Sequence, residues 1–252
     1  MNPREFIGIY SFPKSGNTWL RAVVSEMFFG GDWSAVPDCY KNNIFDAPYV
    51  DLAGRRISFY KSHDKTPIGA FQGLPIRQTK YIYIVRHPLD VFLSQLNYFL
   101  LKPESVADQS LRPPASGPFS IPCSGVDQAL QDGSLDLFFK AFVVYGTLQP
   151  QFARSGSWMD NVSSWLPRPN TLVLRYEDMI SDRARALDGL ADFLTTDRQR
   201  VYAAAERAEQ STRKDGHFFW KKSAGNFKQY LSDEQVALFR RHHGDIVARA
   251  GY

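Results

Sequence analysis

The sequence predicts an α/β fold, a central parallel sheet flanked by helices. Two short runs rich in β-branched and aromatic residues point to it, Phe6-Ile7-Gly8-Ile9-Tyr10-Ser11 and Lys80-Tyr81-Ile82-Tyr83-Ile84-Val85-Arg86. Each ends in a tight turn that opens onto apolar residues at helical spacing. Strand, turn and helix therefore occur twice in the order that parallel α/β sheets use.

The first strand hands over to a helix from Thr18 to Phe29. Ile57–Lys61 reads as a shorter strand. The Lys80–Arg86 run is nearly all apolar, as a strand covered on both faces must be. Pro88 then suits the first helical position, and Leu89, Phe92, Leu93, Leu96, Phe99 and Leu100 follow at helical spacing. A Pro/Ser-rich stretch from Lys102 to Gly125 reads as a mobile loop. Thr171–Arg175 is a further strand that runs into Tyr176-Glu177-Asp178. Two capping boxes are expected, Thr196 with Gln199 and Ser232 with Gln235, the second opening a helix through Val236, Phe239, Ile246 and Val247. Residues 1–252 are read as one domain.

Composition narrows the function classes. With 44% hydrophobic and 22% charged residues the chain can build a core, which excludes disorder and fibrous repeats. Thirty Lys and Arg against 26 Asp and Glu leave a net charge of +4, too dilute for nucleic-acid binding. Cys39 and Cys123 lie far apart with no Cys/His cluster, so they are read as reduced thiols and no metal site is expected. No window reaches the roughly 18 apolar residues of a membrane span, and no targeting segment precedes Phe6. A soluble, cytoplasmic protein is expected. Its ligand site should lie beyond the carboxyl ends of the strands.

Three segments at those ends carry chemistry. Ser11-Phe12-Pro13-Lys14-Ser15-Gly16-Asn17-Thr18-Trp19 would aim backbone N–H groups, hydroxyls and a lysine at the start of a helix, which makes an anion cradle. Its lysine precedes the glycine and no glycine opens the loop, so the Walker order for ATP is absent. The bland alternative is an ordinary turn with a chance lysine. Arg86-His87-Pro88-Leu89-Asp90-Val91, with Ser94 two helical turns on, offers a guanidinium fork and a hydroxyl to a second anion. Its bland reading pairs Arg86 with Asp90. His63, in Tyr60-Lys61-Ser62-His63, follows a strand where a general base would be useful at neutral pH.

These segments together resemble the sulfotransferases that use 3′-phosphoadenosine 5′-phosphosulfate (PAPS), of the cytosolic type and the bacterial small-molecule kind. The family's first loop reads Y-P-K-S-G-T-T-W, from which only Phe12 and Asn17 depart. The resemblance implies a P-loop-like fold in which Lys14, Ser15, Gly16, Asn17, Thr18 and Trp19 hold the 5′-phosphosulfate. The Asn17 amide is expected to donate to an oxyanion where the family has a hydroxyl. Arg86 and Ser94 match the R-N-P-x-D-x-x-x-S element that binds the 3′-phosphate, with His87 as a loop or cap residue. Lys61 and His63 match a K-T-H segment, which implies a general base in His63 and a lysine that stabilises the transferring group. Tyr176 matches the tyrosine of Y-E-D-M near the adenine. The segment from Phe218 to Lys228 is similar to R-K-G-x-x-G-x-W, which closes over the 3′-phosphate, and implies contacts from Lys221, Lys222 and Ser223, although Trp220 and Lys222 depart from it. Ser157–Trp165 is similar to a W-x-x-H-V-x-x-W helix bordering the acceptor pocket, with Asn161 in the histidine position.

The implied reaction moves the sulfuryl group from PAPS to a hydroxyl of a small-molecule acceptor and leaves adenosine 3′,5′-bisphosphate (PAP), without a metal. A nucleotide-dependent kinase and a non-catalytic PAPS- or PAP-binding protein are the alternatives. The acceptor and the choice between monomer and homodimer are open at this point.

Overall fold

A computed structural model describes residues 3–100, 125–148, 153–213, 221 and 223–252. Cys123, Trp220, Lys222 and all but Gly125 of the expected 102–125 loop lie outside them. Five strands, β1 (Glu5–Ser11), β2 (Val50–Leu52), β3 (Arg55–Ser62), β6 (Gln78–Val85) and β7 (Thr171–Arg175), form one sheet in the order β2-β3-β1-β6-β7. The last four run parallel, and β2 pairs antiparallel with β3 at the edge. Two short strands, β4 (Ala70–Phe71) and β5 (Leu74–Pro75), pair separately. The expected strands are found at nearly the expected bounds; β2, three residues long, has no sequence signal of its own.

Both faces of the sheet are covered, which explains the unbroken apolar runs. Along β1, Phe6 and Tyr10 face one core while Ile7 and Ile9 face the other. The Ile7 side packs on α1 (Asn17–Phe29), α7 (Arg183–Leu194) and α8 (Arg198–Arg213). The Tyr10 side packs on α2 (Pro88–Leu100), α4 (Ser134–Tyr145), α5 (Trp158–Trp165) and α10 (Asp233–Arg249). Three further helices are short, α3 (Val126–Gln131), α6 (Tyr176–Ser181) and α9 (Phe227–Tyr230). Full burial of one large apolar side chain favours folding by about 1.5–3 kcal/mol. Tyr10, Tyr83 and Trp165, all fully buried, stack together under the site, with the Trp165 ring 4.2 Å from Tyr10 and 5.5 Å from Tyr83.

The Ser232–Gln235 capping box is present at α10. The Thr196–Gln199 box is not: α8 starts at Arg198, and Asp197 caps it by accepting the Arg200 N–H at 3.1 Å. The carboxylate of Asp197, one residue further along, takes the cap that Thr196 was expected to supply. A box not foreseen, Ser157 with Asp160, opens α5. Among the described residues no helix is long and apolar enough to cross a membrane. Cys39 is a buried free thiol.

Candidate active site

The chain runs from β1 to β3 on one side of the sheet and to β6 on the other, so the carboxyl ends of these three adjacent strands frame the crevice where such sheets bind ligands. The turn from β1 into α1 is tight. Lys14 (φ 70°) and Gly16 (φ 103°) both have left-handed backbone, and Gly16 is the N-cap of α1. A Cβ on Gly16 would lie 2.7 Å from the Tyr176 ring, so glycine is required by both conformation and space. The turn buries the Ser15 hydroxyl with no protein partner and sets it beside the positive end of α1. The Lys14 ammonium lies 4.2 Å from the centre of the Tyr98 ring, a cation–π contact. Thr18 is half-buried, while Trp19 packs into the core.

Arg86 emerges from β6 and reaches back across the cradle. Its Nη1 donates to the Lys14 carbonyl at 3.2 Å and its Nη2 to the Ser223 carbonyl at 3.4 Å, while its Nε is buried and unpartnered. The guanidinium stacks on Tyr176, 4.1 Å from the ring centre. Tyr176 thus touches Arg86 and walls Gly16, so the two anion poles share one aromatic side. Ser94 is buried on α2. Asp90 does not neutralise Arg86. Its carboxylate accepts the backbone N–H groups of Gly225 at 2.6 Å and Phe227 at 3.0 Å, which fastens the late segment to α2. Within that segment Ser223 bonds Asn226, and Lys221 is exposed and donates to Tyr230 at 3.0 Å.

His87 is a cap residue, as expected: its Nδ1 accepts the Leu89 N–H at 3.2 Å. Its ring stacks on Phe227 at 4.3 Å and meets Tyr252 edge-on at 5.0 Å. Burial, reinforced by nearby Arg240 and Lys228, pushes its pKa down to about 3. Glu177 holds this corner with both oxygens, accepting the His87 N–H at 2.9 Å and the Tyr252 hydroxyl at 2.6 Å.

His63 stands just past β3. Its Nδ1 lies 2.8 Å from the Ser11 carbonyl, and a carbonyl only accepts, so Nδ1 carries the proton and Nε2 keeps its lone pair. The backbone N–H of His63 donates to the Tyr40 hydroxyl at 3.1 Å, and the two rings lie parallel within 16°. Burial first, then the charges of Lys61 and Lys14, lower the imidazole pKa to about 3. Lys61 is ion-paired with Asp38 at 2.7 Å. Tyr40 donates in turn to Asp64, which also binds Arg154 at 2.6 Å. Helix α5 clamps this end of the sheet: the Trp158 indole donates to the Arg86 carbonyl and the Trp165 indole to the Asp64 carbonyl, each at 3.1 Å. Asn161 is wholly buried; its amide donates to the carbonyls of His63 and Ser155 and its oxygen accepts from Tyr83.

Lys14, Ser15, Gly16, His63, Arg86, Ser94, Tyr176 and Ser223 are thus gathered by elements that meet at one edge of the sheet. Asn17 differs from expectation. Its Nδ2 lies within hydrogen-bond reach of the Ile9 carbonyl, Ser11 Oγ and the Ser62 carbonyl, so its amide protons are committed inside the protein and not offered to an anion. Ser11 and Glu177 lie inside quoted segments but are given no role of their own there, and Asp38 and Tyr40, which also support the site, lie in no motif.

A largely parallel sheet covered by helices on both faces, with basic side chains gathered at its carboxyl edge, defines an α/β protein. Within that class the chain belongs to the sulfotransferase family, matching the sulfotransferase domain model over residues 5–250. It is 26% identical to the 3-alpha-hydroxysteroid sulfotransferase of Cavia porcellus over 73% of this chain and 56% of that protein. It is 28% identical to sulfotransferase 1B1 of Canis lupus familiaris over 74% of this chain and 57% of that protein. The chain therefore spans little more than half the length of the curated relatives it matches. Mouse sulfotransferase SULT7A1, solved in complex with PAP, superposes with a TM-score of 0.59 at 21% identity, covering 100% of this chain and 90% of that one. Retinol dehydratase, solved with androsterone and inactive cofactor PAP, gives 0.58 at 17% identity, covering 96% and 80%. The P-loop-like sulfotransferase fold is shared with both.

Proposed function

We propose that the chain is a cytoplasmic enzyme that moves the sulfuryl group of PAPS to a hydroxyl of a small-molecule acceptor and releases PAP. The observation that carries this reading is a pair of buried, unpartnered donors, Ser15 Oγ at one pole and Arg86 Nε at the other, in a cradle that also holds the bare nitrogen of His63. A buried donor left unpaired costs about 1–3 kcal/mol. Two anionic ends of one ligand would satisfy both, and the donor set of hydroxyl, lysine, guanidinium and helix N-terminus suits phosphate and sulfate oxygens.

PAPS, when bound, supplies a sulfuryl group attached to a phosphate leaving group. Lys14, Ser15 and the first turn of α1 hold the 5′ end, and Arg86 with Ser94 holds the 3′-phosphate. Tyr176 offers its ring to the base between them, and Ser223 fixes the guanidinium from behind through its carbonyl. His63 Nε2 takes the proton of the acceptor hydroxyl. Lys14 and Lys61 stabilise the charge that grows as the group transfers. These same lysines depress the imidazole. Once Lys14 is neutralised by an anionic ligand, His63 becomes a stronger base, so the base strengthens when the donor site is filled. All the groups named belong to one chain, so a homodimer is not needed to complete this site.

The relative from Cavia porcellus is named for a hydroxysteroid, which makes hydroxylated small molecules the acceptors to try first. Radiolabelled PAPS incubated with the protein and a panel of steroid, phenol and aliphatic alcohols should yield labelled acceptor and PAP. PAP binding without transfer to any acceptor would leave a non-catalytic binding protein. Tight binding of ATP with magnesium and none of PAP would point to a kinase.

A further inference from the structure

We infer that Asn17 is a positioning residue that locks His63 in its base-competent form and is not a ligand of the bound anion. The inference rests on the proposed role of His63 and deepens it. The orientation of the amide is fixed by its neighbours. Nδ2 lies 3.1 Å from the Ile9 carbonyl and 3.4 Å from the Ser62 carbonyl, and only an NH2 can face two carbonyl oxygens. Ser11 Oγ lies 3.2 Å from the same nitrogen. Two protons shared among three acceptors leave nothing for an anion. The other end of the amide, Oδ1, is buried and unpartnered, and an oxygen acceptor is no ligand for an oxyanion.

The three acceptors are the residues on which the geometry of His63 depends. Ser11 receives the Nδ1 proton on its carbonyl, and its hydroxyl lies 3.3 Å from the same nitrogen. Ser62 is the backbone neighbour of His63, and Ile9 anchors the amide to β1. Pairing between β1 and β3 ends at Tyr10 and Ser62. Beyond that pair the two strand ends have no ladder between them, and the Asn17 amide ties them together where the imidazole crosses. Holding Ser11 and Ser62 in register keeps the Nδ1 proton on Ser11, which keeps Nε2 bare. If the tie is lost, the ring is free to carry its proton on Nε2 instead, and that tautomer cannot accept a proton from the acceptor.

The test separates Asn17→Ala from Ser15→Ala. Calorimetry with PAP, turnover at saturating PAPS and acceptor, and the 15N resonances of the His63 ring are read for each protein. Ser15→Ala should weaken PAP binding and leave the ring in its Nδ1–H form. Asn17→Ala should keep PAP affinity within about twofold and lower kcat about tenfold or more, up to the full worth of a general base. Its His63 spectrum should change from one tautomer to a mixture. Asn17→Thr, the residue of the resembling loop, covers the case in which the alanine variant does not fold. Its single hydroxyl proton can serve only one carbonyl, so a tautomer mixture is again expected. Weakening of PAP binding by about tenfold with the Nδ1–H form intact would overturn the inference, as would an unchanged spectrum in every folded variant. If the wild-type protein sulfates no acceptor, the proposed function fails, yet the spectra of nucleotide-free protein still decide the role of Asn17.

Discussion

The two anion poles of the site are built in opposite ways. The pole at β1 is contiguous, running from Ser11 to Trp19, and its shape is set by the backbone: two left-handed residues, a glycine pressed against Tyr176 and the start of α1. The pole at β6 is assembled from side chains that are distant in sequence, with Arg86 held between Lys14, Tyr176 and Ser223, and the last segment tied down by Asp90. A backbone pole offers one geometry and tolerates little change. A side-chain pole can be retuned partner by partner, and the proposed function assigns to it the discrimination between nucleotides with and without a 3′-phosphate.

The largest expected effect separates gripping from chemistry at the first pole. His63→Ala should lower turnover by roughly 10² to 10⁴ while PAP affinity, measured by calorimetry, stays put. A loss of affinity of similar size would mean that the imidazole belongs to the anion grip. Next comes the second pole. Arg86→Ala should weaken PAP binding by about 10- to 100-fold, the worth of about 1.5–3 kcal/mol for a charged hydrogen bond. Binding of adenosine 5′-phosphate, which lacks the 3′ group, should barely move. Equal losses for both ligands would erase the proposed division of labour.

A pH effect on stability reads both poles at once. His63 and His87 each have a pKa pushed down to about 3, so between pH 6.5 and 3 the unfolded chain binds protons there that the native state does not. Stability from these two groups is therefore full above pH 6.5 and falls as the pH drops toward 3, by up to about 1.4 kcal/mol per pH unit for each imidazole. Urea unfolding at pH 7 and pH 5 should show the loss, and His63→Ala should remove its own share of the slope. A slope unaffected by that substitution would mean that His63 is charged freely in the folded protein.

The same contrast explains what could be read from the chain. Strands β1, β6 and β7 are apolar runs bounded by turns, and the first pole is a single segment, so local rules sufficed. Side-chain direction was not local. Asn17 reads as one more donor in an anion loop, yet its amide is turned by three acceptors at the ends of β1 and β3, which only the sheet brings together. Asp90 follows Arg86 closely in sequence but is captured by backbone N–H groups of Gly225 and Phe227. Strand β2 is three residues long and pairs antiparallel at an edge, too short to show a period. The box spacing of Thr196 with Gln199 pointed one residue short of Asp197, whose carboxylate takes the Arg200 N–H.

The phenol of Tyr252 braces the corner around His87. It occupies one oxygen of Glu177, covers the edge of the His87 ring and sits under the Arg175 guanidinium at 4.6 Å. Replacing Tyr252 with Ala would uncover one edge of a buried imidazole and leave a Glu177 oxygen without its donor, one peptide away from Arg86. A Phe in its place would keep the ring against His87 and lose only the hydrogen bond to Glu177.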